Sequence, residues 1–284
     1  MKILTRDRAL NFVDKVHVMG IVNITPDSFS DGGNISDENS LLALVDHMVD
    51  SGADIIDIGG ESTRPFAPQV TLQEELDRVI PAISAIRRRH HIPISIDTTK
   101  AEVARCAIEA GADIINDISA LSHDPAMVSV AAEHKVPVII MHMQGTPRNM
   151  QLKPRYDDVV GEICSALGER IQWAEKHGVS RDRIIIDPGI GFGKTVSHNL
   201  TILRELRQFT TLGCPVLIGH SRKSFIGKIL GIEDASARDE ATAVISALCA
   251  WNGASIIRVH DVARTVQAVK MTHAISKGSA MGNG

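Results

Sequence analysis

Between residues 16 and 261 one pattern recurs eight times: a short Ile- and Val-rich run, a polar residue closing it, then an amphipathic stretch. The runs are HVMGIVN (17–23), DIIDIGG (54–60), IPISIDT (92–98), DIINDIS (113–119), VPVIIMH (136–142), RIIIDPG (183–189), CPVLIGHS (214–221) and SIIRVHD (255–261). They lack the polar alternation of a half-exposed strand, which marks strands buried on both faces. The stretches between them, such as LLALVDHMVDSGA and YDDVVGEICSALGERIQWAEKHG, carry apolar residues at three- and four-residue spacing and predict helices. Gly52, Gly111, Gly178 and Gly253 stand just before the next run, where a helix C-cap belongs. Strict alternation implies parallel strands, and eight of them close most naturally into an α/β (β/α)8 TIM barrel. An open doubly wound sheet is the second arrangement that the pattern permits. No linker divides the chain, which predicts one domain over 1–275; the small, polar 276–284 reads as a disordered tail.

Composition narrows the function classes. Aromatic residues make up only 3% of the chain, so the core is built from aliphatic side chains. A net charge of −4 gives no electrostatic case for a nucleic-acid or anionic-membrane partner, so any anionic ligand must meet locally placed cations. Cys106, Cys164, Cys214 and Cys249 form no C-x-x-C pair or disulfide framework and read as buried thiols in a reducing compartment. The N-terminus has no long apolar run, so neither a signal peptide nor a membrane span is expected, and the cytoplasm is the expected location.

A barrel of this type carries its chemistry at the C-terminal ends of its strands. Those ends hold Asn23, Asp57, Asp97, Asn116 with Asp117, His142, Asp187, Ser221 with Lys223, and Arg258 with His260. Some polar residues occur there simply because the chain is leaving the core. That does not explain Asn116, Asp187 and Arg258, which stand inside or directly at the ends of apolar runs. A charge so placed must be paired or bind a ligand. Acids and amides gather on one side, with Lys223, Arg222, Arg258, His260 and Arg64 as cations on the other. Such a mouth suits a ligand with a donor-rich heterocycle at one end and phosphates at the other. Three Gly-rich loops, 23–33, 59–68 and 187–195, read as mobile lids or points of close ligand approach. The last nearly matches a P-loop but is one residue short, which excludes that reading.

The strings N-I-T-P-D-S-F-S-D-G-G, G-G-E-S-T-R-P, S-I-D-T, I-I-N-D-I, D-P-G-I-G-F-G-K, S-R-K-S-F-I-G and R-V-H-D occur in the order seen in dihydropteroate synthases. The chain resembles that family over roughly 17–275. The resemblance implies a pterin pocket formed by Asp97, Asn116, Asp187 and Lys223. It implies a pyrophosphate site at Asn23, Arg64, Arg258 and His260, and a p-aminobenzoate site at Phe29, Thr63, Pro65, Phe192 and Ser221. Asp97, Lys223, Arg258 and His260 would carry the catalysis, with Arg64 and Asp31 acting only after loop closure.

Residue chemistry supports this division. A carboxylate such as Asp187 can accept both the 2-amino and N3–H donors of a pterin. Mg2+ prefers oxygen and commonly bridges a protein amide or carboxylate to phosphate, which makes Asn23 the best protein ligand, with Asp97 nearby. Plainer uses remain open: Asp187 as a helix N-cap, Lys223 as a solvated lysine, His260 as a core histidine, and the phenylalanines as loop anchors. The implied reaction displaces pyrophosphate from the pterin methylene by the arylamine, with no enzyme nucleophile. Sulfonamides, which resemble p-aminobenzoate, are the expected inhibitors, and a homodimer packed through the last helices is the family's usual assembly. Phe66 replaces the family's usual glycine after S-T-R-P, so an altered sulfonamide affinity is expected. A methyltetrahydrofolate–corrinoid methyltransferase would have no use for S-R-K-S or R-V-H. A catalytically silent pterin-binding paralogue would be expected to lose some of these motifs, and a metal-dependent hydrolase would want an H-x-H that is missing.

Overall fold

A computed structural model describes residues 2–5, 9–13, 15–24, 37–62, 69–147 and 149–278. Two short strands come first, β1 (Lys2–Leu4) and β2 (Ala9–Asn11), paired antiparallel. The barrel strands follow: β3 (His17–Asn23), β4 (Ile55–Gly59), β5 (Ile94–Asp97), β6 (Ile114–Asp117), β7 (Val138–Met141), β8 (Ile184–Asp187), β9 (Leu217–Ile218) and β10 (Ile256–Val259). Between and after them lie α1 (Glu38–Asp50), α2 (Leu72–Arg89), α3 (Ala101–Ala110), α4 (Met127–His134), α5 (Val159–Lys176), α6 (Val196–Arg204), α7 (Ser224–Leu230), α8 (Asp239–Trp251) and α9 (Val262–Lys277). All eight apolar runs are strands and they pair in parallel, in the order β8-β7-β6-β5-β4-β3-β10-β9. A parallel bridge between Ile186 and Val216 joins β8 to the start of β9 and brings the sheet round on itself. This is the expected barrel, not the open sheet.

The helix ends follow from local chemistry. Thr71 and Glu74 form a capping box that starts α2, and the Asp37, Asp158 and Asp261 side chains each accept a backbone N–H at the start of α1, α5 and α9. Gly52, Gly111, Gly178 and Gly253 all adopt positive φ, between 94° and 123°, as their positions before the strands require. α9 runs to Lys277 and is closed by Gly278 at φ 62°, so the ordered chain passes the expected boundary at 275. Residues 279–284 lie outside the described set. Among the described residues no helix is long and apolar enough to cross a membrane, and none of the four cysteines is in a disulfide. Cys214 and Cys249 are buried as expected, but Cys106 and Cys164 are only half-buried, because they sit on outer helices.

Alternate side chains of a strand point to opposite faces. Here Val18, Ile56, Ile58, Ile94, Ile96, Ile115, Ile140, Ile186, Ile218 and Val259 point outward into the layer beneath the helices. Met19, Ile55, Ile114, Ile139, Ile185, Leu217 and Ile256 point inward and meet at the barrel's N-terminal end. Ile3 and Leu10 of the β1–β2 hairpin complete that inner cluster from below. The hairpin is a sealing element that the eightfold pattern does not contain. Truncating Ile3 to Ala leaves a cavity in this seal, with an expected loss of roughly 2–4 kcal/mol in urea unfolding. Ligand binding at the opposite end should be unchanged; a variant as stable as the parent would show that the hairpin is only draped on the barrel.

Candidate active site

Two residues beyond that apolar floor, four of the inward positions are polar, while Ile21 and Met141 are apolar and Gly219 is left open. Ile55 is followed by Asp57, Ile114 by Asn116, Ile185 by Asp187, Leu217 by Gly219 and Ile256 by Arg258. The pleat that buries the isoleucines therefore lifts these side chains one layer higher inside the same barrel. Asp97 and Asn116 are register partners across β5 and β6, and Asn23 and Asp97 both pair with Gly59 of β4.

Arg258 is the centre of this layer. Its Nε donates to Asp57 Oδ2 at 2.6 Å and its Nη2 to Asp97 Oδ2 at 2.7 Å. Asn116 Nδ2 reaches both Asp57 oxygens at 3.3 and 3.4 Å. Burial by itself would depress Arg258, but Asp57 and Asp97 outweigh it and hold the guanidinium charged. Asp97 is pushed upward by burial, with Asp57, Glu75 and Asp117 adding to the effect against the pull of Arg258. Asp57 is wholly buried and belongs at the heart of the site. It was visible in the sequence as a strand-end acid, and its inward parity is the signal that separates it from Asp117. Asp117 points the other way, accepting Ser119 N and Leu121 N at 2.8 and 2.9 Å to hold the turn after β6.

Asp187 closes β8. Its Oδ1 accepts the Gly189 N–H at 2.7 Å, a turn within the following loop rather than a helix cap, since α6 is capped by Thr195. Its Oδ2 and the Arg258 Cδ lie 3.8 and 3.9 Å from where a Cβ on Gly219 would stand. The acid and the base thus converge on one opening, which Gly219 leaves clear. Burial pushes Asp187 up to about 6, although Gly189, Lys194, Lys223 and Arg258 pull the other way.

The 187–195 loop departs from expectation. Its glycines are required by close approach, but of protein backbone, not of ligand. Gly189 and Gly193 hold φ 72° and 61°, and a Cβ there would lie 2.0 Å from His142 O and 2.7 Å from Gln144 O. The loop is packed onto the segment after β7. Lys194 fastens it: the buried ammonium donates to Phe192 O at 2.9 Å and to His142 O and Nδ1 at 3.3 Å. Burial lowers Lys194 to about 7 and His142 to about 3. Nothing in the sequence distinguishes this lysine from a ligand-binding one, because its side chain turns inward only once two loops have met.

At the rim, Phe192 packs with Ile118, Met141 and Met150, and Lys223 Nζ lies 4.0 Å above the Phe192 ring. Phe192 is mostly buried beneath Lys223. Ser221 Oγ lies 2.9 Å from His260 Nδ1 and accepts the His260 backbone N–H at 3.1 Å, so these two residues form one unit. Arg222 does not join the cations of the mouth as expected, because its guanidinium is bound by Asp239 on α8. Phe29, Asp31, Thr63, Arg64, Pro65 and Phe66 lie outside the described residues. A cleft of about 710 Å3 beside the cluster reaches from Asp97 across Ile118 and Met141 to α5; of the residues around Arg258 only Asp97 lines it.

An acid, amide and cation cluster recessed in a barrel mouth defines a site for a polar heterocycle. Residues 19–260 match the family model described as pterin binding enzyme. The dihydropteroate synthase of Synechocystis is 49% identical over 92% of this chain and 90% of its own length. Among solved structures, the Yersinia pestis dihydropteroate synthase with a sulfonamide drug complex superposes with a TM-score of 0.93 at 41% identity, covering 98% of this chain and all of its own. The Xanthomonas albilineans enzyme in complex with 7,8-dihydropteroate gives 0.87 at 42%, covering 97% of this chain and 99% of its own. The chain belongs to the dihydropteroate synthase family, and it is a transferase.

The raised Asp187 fixes a sign. Between the ordinary carboxylate value of 3.8 and about 6, the folded state binds more protons than the unfolded one. Stability therefore falls as pH rises through that window, and above it the fold carries the full cost of a buried ionised acid, at most about 3 kcal/mol. Asp187→Asn should raise the unfolding midpoint at pH 8 by several degrees, with the difference closing near pH 4. An Asn variant that melts lower at pH 8 would contradict this account.

Proposed function

We propose that this barrel mouth joins 6-hydroxymethyl-7,8-dihydropterin pyrophosphate to p-aminobenzoate, giving 7,8-dihydropteroate and pyrophosphate. The observation that carries the residue-level reading is the convergence of Asp187, Asn116, Asp97 and Arg258 one layer above an apolar floor. Asp187 accepts from the 2-amino and N3–H edge of the pterin, and Asn116 offers a donor and an acceptor to the ring. Lys223, its stem beside Gly191, donates to the pterin carbonyl or a ring nitrogen and presents its methylenes to the aminobenzoate ring, with Phe192 beneath.

The Ser221–His260 contact serves the second substrate. With His260 Nδ1 donating to Ser221 Oγ, the hydroxyl accepts two N–H groups and is left to donate its own proton to the aminobenzoate carboxylate. Asn23, Arg258 and His260 lie on β3, β10 and the turn just beyond, the side that would receive the diphosphate. Asn23 Oδ1 and Asp97 Oδ2 lie 3.5 and 4.0 Å from where a Cβ on Gly59 would stand, but that Asp97 oxygen accepts from Arg258 Nη2 at 2.7 Å, so Asn23 is the residue that would hold Mg2+. Mg2+ held by Asn23 would supply positive charge to the leaving group.

The path is dissociative. The C–O bond to the pterin methylene breaks first, the electron pair leaves on pyrophosphate, and the arylamine nitrogen then bonds the methylene carbon and loses a proton. Arg258 and His260 stabilise the departing anion, while Asp97 and Asp57 favour the cation spread over pterin and methylene. Sulfonamides act as competitors for the aminobenzoate half, and the enzyme works in the cytoplasm. Pyrophosphate release from the pterin substrate should proceed, slowly, without p-aminobenzoate. Asp97→Asn should lower turnover by about a hundredfold or more, the scale of losing one electrostatic contact to the transition state. Full turnover in that variant with normal pterin affinity would end the electrostatic assignment.

A second copy covers the outer face. Leu200, Ile229, Leu230, Val244, Leu248 and Trp251 are exposed together on α6, α7 and α8, an apolar surface that monomers rarely leave bare. Val244→Glu should shift the sedimentation mass from dimer to monomer with the barrel still folded. A wild-type chain that sediments as a monomer at all concentrations rules out this face as a dimer contact.

A further inference from the structure

Ser221 and Lys223 both face the mouth, yet the residue between them turns outward in a conformation that side chains avoid. Arg222 holds φ 57°, in the left-handed region where glycine is the ordinary choice. Glycine would relieve the backbone here, but it could not make the side-chain contacts that Arg222 makes. Its Nε and Nη2 donate to the two Asp239 oxygens at 2.8 and 2.7 Å, a bidentate pair. Its backbone N–H donates to Thr242 Oγ1 at 3.2 Å, and its carbonyl accepts from Arg238 Nη1 at 2.9 Å. The backbone N–H and carbonyl and two guanidinium nitrogens of the strained residue are therefore met by the start of α8.

The receiving side is itself fixed. Thr242 Oγ1 donates to Arg238 O at 2.9 Å, and the wholly buried His220 bonds Thr242 O through Nε2 at 2.9 Å. Arg238 also donates through Nε and Nη2 to Ile232 O, at 3.1 and 3.0 Å. The guanidinium passes over Gly227, where a Cβ would lie 2.7 Å from its nitrogens. Lys223 N in turn donates to His220 O at 3.2 Å, closing the turn that carries Ser221 and Lys223.

We propose that Arg238, Asp239 and Thr242 at the start of α8 form a clamp that fixes the orientations of Ser221 and Lys223 by holding Arg222 in its left-handed conformation. The three are positioning residues for the aminobenzoate half of the site, an extension that rests on the function proposed above. They touch neither substrate.

The test uses the full chain in four forms: wild type, Asp239→Asn, Arg222→Gly and the double variant. Asp239→Asn should raise the KM for p-aminobenzoate, which meets both Ser221 and Lys223, about tenfold, and should weaken 6-hydroxymethylpterin, which meets Lys223 alone of the two, by a smaller factor. Arg222→Gly, which reaches the left-handed region without strain, should stay within about threefold of wild type. Combined with Asp239→Asn it should recover most of the lost KM. An unchanged KM in Asp239→Asn, or a double variant no better than Asp239→Asn, overturns the clamp. Hydrogen exchange at the Arg222 and Lys223 amides gives a reading that needs no substrate: Asp239→Asn should speed both, with β10 unaffected, and unaltered exchange also overturns it. Wild type without turnover would instead count against the proposed function, leaving the exchange result to judge the clamp. If Asp239→Asn does not fold, Thr242→Val, which removes the acceptor for Arg222 N–H, is read by the same criteria.

Discussion

One buried cation organises this mouth. Arg258 enters the barrel interior flanked by Asp57 and Asp97, and a guanidinium placed there without them would be prohibitively costly. Its position fixes the two acids, Asp57 in turn orients Asn116, and the charge balance lets a further carboxylate, Asp187, stand close by. Removing one partner would leave the others as uncompensated charges. The site is thus held in shape before any ligand arrives, and a ligand presenting donors to the acids and negative charge to the base exchanges contacts instead of creating them.

The constraint beneath that interaction is geometric. A closed parallel barrel allows each strand only two directions for its side chains, and the helices claim one of them. The inner direction holds an apolar seal at the bottom, with Asp57, Asn116, Asp187 and Arg258 one step above it. The seal keeps water from the lower ends of the charges, so their mutual attractions are little screened. The same burial that strengthens those attractions raises Asp187 and Asp97 and lowers Lys194. Stability and recognition pull against one another at these positions.

Much of this is legible in the sequence because it is local. Eight aliphatic runs with a polar residue at an inward position require no knowledge of distant contacts, and neither do the glycines before the strands. The motifs carry Asp97, Asn116, Asp187, Lys223 and Arg258 to one end of the barrel by register alone. What escaped was of three kinds. The β1–β2 hairpin is too short and too mixed to announce itself as a seal. Asp57 looked like one strand-end acid among several, since its partner Arg258 lies 201 residues away. Arg222 reads as a cation of the mouth, and Lys194 carries no signal of its own; both are bound by protein.

Sequence alone determined the order of the elements, the barrel, and which side chains could face its interior, because strand parity and helix periodicity are properties of neighbouring residues. Tertiary structure alone decided which of those charged groups are available to a ligand and which hold the protein together. A cation's partner is whichever anion stands nearest in space, and that distance exists only after the ring has closed and the loops have packed.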